Sequence, residues 1–92
     1  MIVDFKHKGL ERFFRTGANK GIPAASAARI DRMLDLLDQI VIAPEADIPG
    51  YGFHRLTGDR KGTYSIKVTG NWRITFQFDG ENVTDVDLED YH

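Results

Sequence analysis

From Asn71 to Asp90 the chain reads NWRITFQFDGENVTDVDLED. Trp72, Ile74, Phe76 and Phe78 alternate with Arg73, Thr75 and Gln77, the period of a strand with one buried face. Asp79-Gly80 is a strong signal of a short hairpin turn. A strand that doubles back through so short a turn pairs antiparallel with its successor. The fold must therefore accommodate an antiparallel sheet, and the remaining segments have to cover its apolar face.

Those segments divide cleanly. MIVDFK is a short β-type run. KGLERFFRTG carries Leu10, Phe13 and Phe14 at helical spacing, with Gly17 as the stop. After Pro23, tolerated in a first helical turn, Ala27, Ile30, Met33, Leu34, Leu37, Ile40 and Val41 recur every three or four residues. Arg29, Asp31, Arg32, Asp35 and Asp38 fill the positions between them, giving an amphipathic helix that packs on a core. APEADIPGYG, with two prolines and two glycines, reads as a loop. FHRL, TYSIKV, NWRITFQF and NVTDVDLEDY then follow as four strands, separated by turn residues. The order is strand, helix, helix and four strands: an α+β fold with two N-terminal helices on one face of an antiparallel sheet. Residues 1–92 are read as one domain, a length suited to a single core.

Composition narrows the chemistry. The chain is 41% hydrophobic and 28% charged, as expected of a soluble globular protein. Cysteine is absent, which excludes thiolate catalysis, cysteine-ligated zinc and disulfides. His7, His54 and His92 are scattered without ligand spacing, so no metal site is expected. No run approaches a membrane span, and MIVDFKHKGLERFF has no secretion-signal pattern, so a cytoplasmic protein is expected. The net charge of −2 is unevenly spread. Arg55, Arg60, Lys61, Lys67 and Arg73 crowd the middle against the single acid Asp59. Asp79, Glu81, Asp85, Asp87, Glu89 and Asp90 crowd the end with no lysine or arginine among them.

The sheet face opposite the helices would carry Lys67, Arg73, Thr75 and Gln77. Near it lie His54 and the terminal Asp90, Tyr91 and His92, with Arg60 and Lys61 as basic neighbours. Imidazole, carboxylate and phenol groups can move protons near neutral pH, and an arginine can neutralise a phosphate whose charge grows in a transition state. Such a set can cut RNA without metal, through attack of a ribose 2′-hydroxyl on the adjacent phosphorus. Each residue also has an ordinary reading. His54 can be a surface residue, Asp90 a solvated acid, Tyr91 an edge aromatic and Arg73 an exposed strand residue. Strict alternation puts Asp90 and His92 on one face and Tyr91 on the other, so a shared site requires a bulge, twist or strand end there.

FKHKGLERFFRTG, GIPAASAARIDRML, FHRLTGDRKGTYSIKVTGNWRITFQF and the final EDYH resemble, in order and over nearly the full chain, the HigB toxins. These form a branch of the RelE/ParE superfamily of bacterial toxin–antitoxin systems. The resemblance implies an antiparallel, twisted sheet with two helices on one face. It implies a ribosome-dependent endoribonuclease that cleaves mRNA in the A site. It also implies a cognate helix-turn-helix antitoxin, of the HigA type, through which alone DNA is contacted. Carried over by position, His54, Arg73, Asp90, Tyr91 and His92 would be catalytic, and Asn71 would orient substrate. Tyr91 could alternatively stack on a base. Thr57 stands where some members carry a lysine near the active site, so that phosphate contact would pass to Lys61 or Lys67, with Arg60 beside them. Two other readings remain at this point. A gyrase poison of the ParE type would have no use for His54 with Asp-Tyr-His, and a non-catalytic partner of an antitoxin would fit the acidity and Thr57.

Overall fold

The computed structural model describes residues 1–90. Helix α1 spans Lys8–Thr16 and helix α2 spans Ala27–Gln39. Strands β1 (His54–Arg55), β2 (Tyr64–Lys67), β3 (Trp72–Asp79) and β4 (Asn82–Asp90) form one antiparallel sheet in the order β1-β2-β3-β4. The two helices followed by four antiparallel strands expected from the sequence are observed.

α1 begins where the His7 imidazole Nδ1 accepts a hydrogen bond from the Leu10 N–H at 2.9 Å, and ends at Gly17 with φ 80°. His7 is thus a helix cap. α2 buries Ile30, Met33, Leu34 and Leu37 against Ile66, Ile74, Phe76, Val83 and Val86, so its apolar stripe and the inner sheet face make one core. The helix is shorter than its periodicity suggests. Ile40 leaves helical geometry at ψ 152°, and Glu45 Oε1 accepts the Val41 and Ile42 N–H groups at 2.8 and 3.1 Å. These bonds give the two amides a partner outside the helix, and Val41 is exposed instead of buried.

The N-terminal run forms two isolated parallel bridges to β4, Ile2 to Val83 and Phe5 to Val86, in place of the continuous strand expected. The reason lies in β4. Gln77 of β3 faces Thr84, but Thr75 faces Asp87, so Phe76 opposes two residues and β4 carries a bulge. Asp85 occupies it with φ 53°, the only non-glycine residue with positive φ among the described residues. The extra residue reverses the alternation. Unbroken, the strand would turn Asp85, Asp87 and Glu89 inward after Val83. With the bulge, Val83, Val86 and Leu88 are the buried ones, and Asp87 and Glu89 move to the face away from the helices.

Candidate active site

The register assembles that outer face in rows. His54 pairs with Ser65, Ser65 with Thr75 and Thr75 with Asp87. One step along, Lys67 pairs with Arg73 and Arg73 with Glu89. Directly opposed residues share a face, so His54, Ser65, Lys67, Arg73, Thr75 and Glu89 lie together. Gly52, His54, Leu56, Ser65, Lys67 and Arg73 line an open cleft of about 290 Å³. Ser65 in its lining is 3% exposed, and the paired Thr75 behind it 2%. The sequence pattern had marked Thr75 only as outward-facing. It is buried, and the loop after β1 reaches across the sheet to the carboxylate that its hydroxyl also meets.

That loop is tied down by a carboxylate. Arg60, in the turn between β1 and β2, crosses to Glu89 on β4 with Nη1–Oε1 at 2.8 Å and Nη2–Oε2 at 2.5 Å. Glu89 also accepts from Arg73 Nη2 at 3.2 Å and from Thr75 Oγ1 at 2.7 Å. The bidentate arginine, then the threonine and Arg73, hold the Glu89 carboxyl down at about 2, against its ordinary 4.5, despite partial desolvation. The same contact raises the Arg60 guanidinium. Arg60, expected as a substrate contact, is engaged within the protein. Glu89 was indistinguishable in sequence from its acidic neighbours. The one signal that could have found it is its place across the hairpin from Arg73, and the bulge concealed that pairing.

A second device holds the approach to His54. Arg29 of α2 donates from Nη2 to the Gly50 and Lys67 carbonyls at 2.8 and 2.9 Å, with its guanidinium 5.1 Å from the Tyr51 ring centre. The Lys67 N–H donates to the Tyr51 carbonyl at 2.7 Å. These bonds bind the segment before β1 to the end of β2. Gly52 passes there with φ 54°, and a β-carbon on it would stand 3.4 Å from Lys67 Cβ.

Of the other expected residues that the structure describes, Lys67 lines the cleft, whereas Asp90, Asn71 and Lys61 do not. Asp90 pairs with Trp72, so it lies on the face opposite Arg73. Asn71 is exposed in the turn before β3 and does not line the cleft. Lys61 lines a separate depression of about 600 Å³ with Arg55, Leu56, Thr57, Gly58, Gly62 and Tyr64. Lys67 is the lysine in the cleft. Tyr91 and His92 lie outside the described residues. Among the described residues no group of three histidines or carboxylates is arranged to hold a metal ion, and no helix is long and apolar enough to cross a membrane.

An antiparallel meander under two helices, presenting imidazole, ammonium and guanidinium groups around an open cleft, defines a small α+β protein equipped for an anionic ligand. Residues 3–92 match the family model described as the RelE-like toxin of type II toxin–antitoxin system HigB. The chain is 44% identical over 92 residues to a Proteus vulgaris protein named Endoribonuclease HigB, covering all of both chains. It is 34% identical over 80 residues to Toxin HigB-1 of Vibrio cholerae serotype O1, covering 85% of this chain and 84% of that one. The chain belongs to the HigB-like family of type II toxins, and such a toxin has a cognate antitoxin as its partner.

Proposed function

We propose that this chain is an endoribonuclease that cleaves mRNA in the ribosomal A site, and that a HigA-type helix-turn-helix antitoxin silences it. It would act in the cytoplasm, meet DNA only through the antitoxin, and need no cofactor. The endoribonuclease name of a full-length relative at 44% identity supports the activity. The observation that carries the mechanism is the cleft, where an imidazole, an ammonium and an anchored guanidinium converge.

A base takes the proton of the ribose 2′-hydroxyl, and the O2′–P bond forms. The P–O5′ bond breaks, and an acid protonates the departing O5′. The products are a 2′,3′-cyclic phosphate and a 5′-hydroxyl. Negative charge grows on the phosphoryl oxygens during attack, and Arg73 neutralises it from a fixed position. Lys67 supplies the second positive charge and takes the role left open by Thr57. His54 shares the proton transfers with the chain end, Tyr91 and His92, and Asp90 joins them only if substrate draws its carboxylate round the end of β4 from the opposite face. Asn71 and Lys61, exposed outside the cleft, guide the RNA beyond it.

A net charge of −2 gives weak non-specific attraction to RNA, so the ribosome delivers the substrate. Incubation of the purified protein with mRNA, with and without programmed ribosomes, tests this. Cleavage confined to the ribosome-bound message is expected. Equal cutting of naked mRNA would overturn ribosome dependence, and no cutting in either arm would overturn the nuclease reading.

A further inference from the structure

Resting on that reading of the cleft, we propose that Glu89 is the positioning residue of Arg73: its carboxylate holds the guanidinium at the edge of the cleft before substrate arrives. Three independent donors converge on Glu89. Thr75 Oγ1, from a residue 2% exposed, fixes Oε2 from below at 2.7 Å. Arg60 fixes both oxygens from the loop. The carboxylate so immobilised meets Arg73 Nη2 at 3.2 Å from the neighbouring strand. The Arg73 and Glu89 side chains are each 20% exposed and that of Arg60 is 42% exposed, so the Glu89–Arg73 contact is the better shielded of the two ion pairs.

An arginine free to sample rotamers loses side-chain entropy each time it closes on a phosphate. One already held loses less, and its charge stands where the transition state needs it. Glu89 is unsuited to proton transfer, because its carboxyl stays ionised down to about 2. The carboxylate also offsets one of two guanidinium charges, so it weakens ground-state attraction to RNA while sharpening Arg73. Positioning and attraction therefore respond oppositely to its removal, which is a signature that loss of structure does not share.

Glu89→Gln keeps the side chain's shape and removes its charge. Two measurements on the full chain decide the matter. In the first, 15N relaxation of the Arg73 guanidinium in the free protein is expected to show a lower order parameter in Glu89→Gln than in wild type. In the second, single-turnover cleavage on programmed ribosomes is expected to slow about tenfold at saturation, with the half-saturating concentration unchanged or lowered. In an Arg73→Lys background the same exchange is expected to alter the rate less than twofold, because Glu89 acts through the guanidinium. An Arg73 equally ordered in Glu89→Gln, or a saturated rate equal to wild type, would overturn the proposal. So would parallel losses in rate and apparent affinity that track a lowered melting temperature. If wild type itself fails to cut, the nuclease reading fails, and the relaxation measurement alone decides whether Glu89 orders Arg73.

Discussion

The cleft has two unlike sides. Arg73 stands on the eight-residue β3, its guanidinium held by Glu89 above the buried Thr75. His54 stands on β1, an edge strand of two residues, and is exposed. Its place depends on backbone pairing with Ser65 and on the Arg29 clamp one segment earlier. Among the described residues, Arg73, proposed to meet the phosphate, is engaged by side-chain contacts, whereas His54, proposed to move a proton, is placed through backbone pairing. On the proposed reading, this division would suit a substrate delivered already ordered, with the phosphate meeting a pre-positioned guanidinium and the exposed imidazole facing the ribose.

Changes on the β1 side should cost most through His54 itself. His54→Ala is expected to lower cleavage on programmed ribosomes by about 10²–10⁴-fold with the fold intact, as for loss of a general acid or base. A loss of tenfold or less would assign His54 to substrate positioning. Arg29→Met keeps the aliphatic packing but removes both carbonyl contacts. It should slow cleavage about tenfold by loosening the segment that leads to His54. Faster amide exchange at Lys67, whose N–H donates to Tyr51, should accompany the loss, and unchanged exchange would separate the clamp from the site.

The β3–β4 side can be probed through stability. Asp85→Val puts a β-branched residue at φ 53° and should destabilise the protein by about 1–2 kcal/mol in denaturant titration. A neutral result would mean that β4 tolerates another register. The Glu89 carboxyl has a lowered value in the folded state, so its contribution is present above the ordinary 4.5 and is lost as pH falls towards about 2. The wild type should therefore lose stability over that interval more steeply than Glu89→Gln. Parallel acid limbs would show that the carboxylate network contributes nothing to folding.

The same contrast explains what could be read in advance. The α2 stripe, the alternation of β3 and the Asp79-Gly80 hairpin signal, one residue before the observed Gly80-Glu81 turn, are local patterns, and local patterns declare helix, strand and hairpin. Arg73 and Lys67 fell on the outer face because β2 and β3 alternate without interruption. β4 was legible as a strand but not in register, since its bulge is occupied by Asp85 and not by a glycine that would have signalled it. Glu89 therefore passed for a solvated acid and Arg60 for a free cation, although each is the other's partner. The roles of Asp90, Tyr91 and His92 rest on family likeness, because spacing alone places neighbouring strand residues on opposite faces.

Arg73→Ala tests the central claim most directly. The variant removes the anchored charge and nothing from the apolar core. Single-turnover cleavage of an A-site codon should be measured alongside thermal unfolding and antitoxin binding. The account predicts a rate lower by about 10²-fold or more, with antitoxin binding retained and the fold intact. Cleavage at the wild-type rate by a folded Arg73→Ala protein would contradict it.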